Sequence, residues 1–218
     1  MKSSISRKIL MALSGFFLMF FLLQHLSINM LSVISPDMFN EVSHFMGYNP
    51  IIQFVMQPIL IFGLLFHLIM GMYLEYQNNK ARIKKYVNNK PNTNSPWVSR
   101  NMIISGITVL AFLILHMSDF WAHEMNYKYI AGSPEDPTRY WEELHHEMGE
   151  MSHLIIYTIA NIFLALHLLH GFQSSFQSVG FNNNKYTPTL KKLGNVYAIL
   201  IPLGFIFIAF FHFFTQSH

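Results

Sequence analysis

Five stretches of the chain stay predominantly apolar for about 20 residues, the length a helix needs to cross a hydrocarbon layer about 30 Å thick. They are Leu10–Leu31, Ile51–Leu74, Met102–Trp121, Leu154–Phe172 and Val196–Phe214. The fourth is broken by Asn161, His167 and His170, polar groups that a purely lipid-facing helix excludes. Lys2, Arg7 and Lys8 precede the first stretch as they would in a signal peptide. Its apolar run is too long for that role and no small-x-small cleavage site follows, so it is expected to remain as a helix. The pattern predicts an all-α integral membrane bundle of five transmembrane helices, one domain over residues 1–218, with short connections and mostly antiparallel neighbours.

Composition agrees with the pattern. Apolar side chains make up 52% of the 218 residues and charged ones 11%, where a soluble domain has about a quarter charged. The absence of cysteine excludes disulfides, thiolate zinc sites, cysteine-held iron–sulfur clusters and covalently attached c-type haem. Charge then orients the bundle. Lys2, Arg7 and Lys8, then Lys80, Arg82, Lys84, Lys85, Lys90 and Arg100, then Lys185, Lys191 and Lys192 all fall in segments on one side. The other side has only Lys128 and Arg139, and holds most of the acids. By the positive-inside rule the N-terminus is cytoplasmic and the C-terminus external, in a multi-pass protein of the cell's inner (cytoplasmic) membrane.

Twelve histidines are the anomaly in so apolar a chain, because ring nitrogens are costly in hydrocarbon unless they bind something. Each of the first four helices carries one well inside its apolar run: His25, His67, His116 and His167. At about 1.5 Å rise per residue, His25 and His116 lie roughly 21–22 Å from the cytoplasmic edge, and His67 and His167 roughly 8–11 Å from it. Two level pairs, each drawn from two helices, are what bis-imidazole ligation of two stacked b-type haems requires. Small residues that permit close backbone approach recur nearby: Gly15, Gly63, Gly71, Gly106 and Gly171. The alternatives are core histidines satisfied by hydroxyls or carbonyls, and a zinc or non-haem iron site.

The residues around these histidines resemble a known family, the single-chain, two-haem, five-helix cytochrome b anchor of succinate dehydrogenases and fumarate reductases. The likeness is carried by residues 20–29 (FFLLQHLSIN), 44–46 (HFM), 67–73 (HLIMGMY), 113–116 (LILH) and 167–172 (HLLHGF). The resemblance implies that His67 and His167 are axial ligands of the haem nearer the cytoplasm and His25 and His116 of the outer one. It further implies electron exchange with flavoprotein and iron–sulfur subunits on the cytoplasmic face, and with a membrane quinone, menaquinone more often than ubiquinone. Ala165 stands where some fumarate-reducing members carry a glutamate. On this resemblance the chain is expected to be an electron-transfer subunit that does not oxidise succinate alone, in keeping with its lack of a flavin fingerprint and of cysteine for clusters. Membrane lipid is its remaining partner, and no nucleic acid is expected. A haem anchor of a hydrogenase or formate dehydrogenase, or a non-haem transporter, is the rival reading; the clustered histidine boxes of membrane oxygenases are lacking.

Secondary candidates follow from position. His170, three residues after His167, can replace it as ligand or bond a propionate. Arg100, Trp97 and Lys8 lie at the cytoplasmic interface, where they can bond propionates or simply snorkel. Glu41 and His44, in a polar external loop, can exchange protons with quinone, with Ser14, Tyr73 and Arg100 as the cytoplasmic counterpart. His146, Glu150 and His153 fall on one helical face at i, i+4, i+7, a metal-compatible spacing. The basic run Lys80–Lys85 is a candidate docking face for soluble subunits.

Overall fold

A computed structural model of the protein describes residues 4–81, 102–181 and 183–216, and helix is the only regular structure among them. The seven helices are α1 (Ser4–Ile34), α2 (Pro36–Tyr48), α3 (Gln57–Ala81), α4 (Met102–His116), α5 (Arg139–Met148), α6 (Met151–Ser178) and α7 (Thr187–Thr215). Wider π-helical turns extend two of them. Ile52–Met56 leads into α3, and Met117–Ala122 and Asn126–Ile130 carry α4 onward around the short turn His123–Met125.

Five spans are long and apolar enough to cross a membrane: Ile5–Ile34, Ile52–Lys80, Met102–Ile130, Met151–Ser178 and Thr187–Thr215. Each matches one of the five sequence-predicted stretches: the first, fourth and fifth extend it at both ends, the third only at its C-terminal end, and the second begins one residue later and runs on to Lys80. Large apolar side chains, among them Phe20, Phe62, Ile69, Ile114, Leu200 and Phe214, face outward from these spans. Such a surface belongs in lipid, and the chain is a multi-pass membrane protein.

Contacts fix the directions. Arg7 near the start of α1 hydrogen-bonds Tyr73 and Gln77 near the end of α3, so those helices are antiparallel. Tyr197 of α7 donates to the Met19 carbonyl of α1 and His212 meets Ser32, so α7 runs parallel to α1. The bundle therefore has an N-terminal end, where α1 begins, and a capped end, where α2 and α5 lie across the helix termini.

The capped end is more structured than a polar loop. Ser35 caps α2, its Oγ accepting from the Met38 N–H at 3.3 Å, with Pro36 at the first helical position. Residues 41–46 are thus helical where the sequence pattern predicts a loop. Asn49 stops α2, and its Oδ1 accepts the N–H groups of Ile51 and Ile52, so one residue ends one helix and starts the next. A core of Phe39, Leu144, Met148, Leu154, Tyr157, Ala209 and Phe213 joins α2, α5, α6 and α7 here.

Arg139 is the polar centre of the cap. Its side chain is 8% exposed and pairs with Glu124 and, at 2.7 Å, with Glu143, while Tyr127 and Tyr140 cover its faces. Burial opposes its charge, but the two carboxylates outweigh that and raise its pKa. Burial, then Glu124, raises Tyr140 and likewise Tyr48. Lys128 bonds Glu124 and the Gly47 carbonyl and lies over Tyr48, tying α2 to the extension of α4.

Candidate functional site

The structure brings the four intramembrane histidines together as two pairs. His25 of α1 and His116 of α4 have ring centroids 5.8 Å apart at 80°, and His67 of α3 and His167 of α6 are 6.4 Å apart at 68°. Two metal–nitrogen bonds of about 2 Å plus the ring radii would put the centroids of a bis-imidazole metal site about 6 Å apart. The spacing matches such a site, and at 68–80° it is also that of an edge-to-face ring contact.

Hydrogen bonding decides which nitrogen each ring presents. Ser14 Oγ donates its one proton to the Met11 carbonyl at 2.8 Å, so toward His67 Nδ1, 3.0 Å away, it must accept. That fixes an Nδ1–H and leaves Nε2 with its lone pair. Ser105 does the same for His167, donating to the Met102 carbonyl at 2.9 Å and facing Nδ1 at 3.4 Å. Tyr157 donates its phenol proton to Asp119 Oδ2 at 3.2 Å and stands 3.3 Å from His116 Nδ1. It too accepts, and His116 also has a bare Nε2. His25 differs: Asn29 Nδ2 donates to the His25 carbonyl at 2.9 Å, which keeps the amide nitrogen toward the ring, so at 3.3 Å it donates to Nδ1 as well and favours the proton on Nε2. None of the four Nε2 atoms has a hydrogen-bond partner among the described residues.

Second partners at Nδ1 with a lone pair at Nε2 are what a metal-ligating histidine needs. Haem iron takes only two protein donors, the porphyrin supplying the other four, so the donor set fits haem. No group of three or more His, Asp or Glu side chains that could hold a metal ion converges among the described residues. The surroundings of the two pairs differ. Gly15 and Gly106 lie beside the rings of one pair, where an added Cβ would stand 3.8 Å from His67 Cε1 and 3.7 Å from His167 Cε1, ordinary contact distances. Phe21, Phe112, Phe120 and Phe205 surround the other pair.

The remaining candidates are distributed otherwise. His167, not His170, is the imidazole beside His67; His170 is half-buried three residues further on. Ser14 and Tyr73 are engaged, by His67 and by Arg7 respectively, and Lys8 is exposed. His44 lies on α2 with Nε2 2.8 Å from Glu135 and its ring against Tyr48, and Glu41 is exposed one turn earlier. His146, Glu150 and His153 do not share a helical face. Gly149 ends α5 and Glu150 is extended, with φ −84° and ψ 133°, so the phase is lost between His146 and His153. Arg100, Trp97, Lys84 and Lys85 lie outside the described residues.

Three partners escape sequence reasoning: Ser105, Tyr157 and Asp119. So does His212, fully buried on α7, whose Nε2 meets Ser32 at 2.9 Å and whose Nδ1 meets His145 Nδ1 at 3.0 Å. Ser14 and Ser105 could have been flagged as hydroxyls at the depth of a histidine on a neighbouring helix, but Tyr157 and Asp119 carry no such signal. Comparison with protein-family models, curated proteins and solved structures gives no match to this chain.

Proposed function

We propose that the chain is a di-haem cytochrome b membrane anchor of a succinate:quinone oxidoreductase, with His67/His167 and His25/His116 as the two pairs of axial ligands. The observation that carries the reading is the pairing of four imidazoles at about 6 Å with Nδ1–H held by second partners in three of them. The iron of a bound b-type haem supplies one-electron transfer and no covalent chemistry. The chain's part is to present the bare Nε2 atoms of His67, His116 and His167, hold the rings by Ser14, Ser105 and Tyr157, and keep water from the pairs with an apolar exterior.

In this reading the N-terminal end faces the cytoplasm, in accord with its Lys and Arg content, and meets the iron–sulfur and flavoprotein subunits there. Quinone, menaquinone by resemblance, reacts at the capped end, where Glu41 and His44 on α2 are the titratable groups beside apolar Phe39, Phe45 and Met46. The chain alone provides the electron path and leaves succinate oxidation to its partners.

A pyridine haemochrome assay on the purified chain tests the reading. Two non-covalent b-type haems per chain are expected; a content near zero, or a c-type band, overturns it. Gentle extraction should recover flavin and iron–sulfur subunits with the chain, and recovery with a hydrogenase or formate dehydrogenase instead would keep the haems and replace the partner.

A further inference from the structure

The two imidazole pairs differ in what lies behind their second partners. Ser14 and Ser105 pass their protons to the backbone carbonyls of Met11 and Met102, so the chains behind His67 and His167 end on neutral groups. The chain behind His116 ends on a carboxylate: Nδ1–H to Tyr157 Oη, then Tyr157 O–H to Asp119 Oδ2. Both members are shielded, Tyr157 at 8% exposure and the Asp119 side chain at 12%, so a charge there acts through little water. The wide turn Met117–Ala122, which begins directly after His116, contains Asp119 and so re-aims it relative to a regular helix.

We propose that Asp119, acting through Tyr157, is a positioning residue that strengthens His116 as an electron donor to its metal and so lowers the reduction potential of the His25/His116 centre. The proposal rests on the haem reading of the two pairs and deepens it by assigning the centres unequal potentials. A hydrogen bond that draws the Nδ1 proton outward leaves more electron density on Nε2, and an anionic acceptor draws it harder than a neutral one. The oxidised iron carries the extra positive charge, so it gains more from that density than the reduced iron. His153 opposes the effect: its Nε2 stands 3.5 Å from the same Asp119 oxygen and competes for it. Glu147, 3.6 Å from that nitrogen, and Glu150, 3.8 Å from Nδ1, are the acidic groups that face His153 in turn.

Redox titration of the intact haem-loaded protein, following each haem separately, tests the assignment. Asp119→Asn keeps size and loses charge; it should raise the potential of the His25/His116 centre, changing its oxidised-to-reduced ratio at a fixed potential about tenfold, the scale of second-partner effects. The other centre should stay where it was. Tyr157→Phe should act in the same direction, and the double variant should add little to the larger single effect, because both cut one chain. His153→Leu should move the same centre the opposite way, a sign that general loosening of the structure cannot produce. An unchanged potential in Asp119→Asn, or equal shifts at both centres, overturns the proposal.

A second readout needs no haem. Nitrogen-15 NMR of histidine-labelled, haem-free protein should find His116 as the Nδ1–H tautomer, with a weaker Nδ1–H bond in Asp119→Asn. An Nε2–H tautomer in the parent protein refutes the chain. Protein that never takes up haem, with the tautomer as expected, refutes the haem reading and leaves the chain standing.

Discussion

His67 and His167 rest on serine hydroxyls beside glycines, whereas His25 and His116 lie among phenylalanines and connect through Tyr157 to a carboxylate. Their ring spacings differ by little, 6.4 and 5.8 Å. The bundle thus repeats one geometry in two electrostatic settings, and spacing alone carries no information about how the sites differ. The contrast extends outward. Near the N-terminal end of the bundle Arg7 makes two hydrogen bonds between neighbouring helices, while at the capped end Arg139, Lys128, Glu124 and Glu143 form a buried network over α2 and α5.

The largest test of the comparison removes one ligand at a time. His67→Ala or His167→Ala should cost the chain one of its two haems and spare the other; His25→Ala or His116→Ala should do the reverse. Absorbance spectra combined with redox titration separate the components, and His170→Ala should retain both. Loss of the same component in His25→Ala and His67→Ala would dissolve the two-centre picture.

A smaller effect is expected from charge at the two ends. Arg139→Ala leaves Glu124 with Lys128 alone and Glu143 without its guanidinium, and should destabilise the protein by about 2 kcal/mol, the scale for losing hydrogen bonds to charged groups. Arg7→Ala loses hydrogen bonds at the other end and should cost about 1 kcal/mol. Thermal unfolding in detergent orders the two, and equal losses would mean that the cap is no stronger than the opposite end.

The smallest effect concerns pH at the cap. The His145 ring stacks on Trp141, centroids 4.5 Å apart at 15°, and burial lowers its pKa below 6.5. The unfolded chain therefore takes up its proton first as pH falls through about 6.5, and the stability that the neutral ring contributes is lost from there down to the lower folded pKa. Trp141 fluorescence, in protein with Trp97 and Trp121 replaced by Phe, should be quenched by the imidazolium with a midpoint under 6.5. A midpoint at or above 6.5 would show that the ring is not desolvated, and His145→Asn should abolish the transition.

The residues explain why some of this was legible and some not. Five apolar runs and the depth of each histidine follow from helix rise and hydrocarbon thickness, so His25 could be matched with His116 before any contact was known. The π-helical turns were not legible, since a wider turn leaves no mark on an apolar run, and the span that begins with α4 therefore continues to Ile130 rather than ending at Trp121. The break between His146 and His153 was hidden for a related reason: an extended Glu150 between two helices resets the phase that a spacing argument assumes to be continuous.

The sequence by itself determined the number of spans, the helix that carries each histidine and its level along that helix, because those quantities depend only on local hydrophobicity and a fixed rise per residue. Only the tertiary structure decided what each imidazole faces. Ser14 reaches His67 across 53 residues, Ser105 reaches His167 across 62 and Tyr157 reaches His116 across 41. Those partners are chosen by the rotation of one packed helix against another, which hydrophobicity leaves open because lipid and neighbouring helices are equally apolar. Hydrogen bonds and side-chain shape make that choice, and with it the nitrogen each ring holds free.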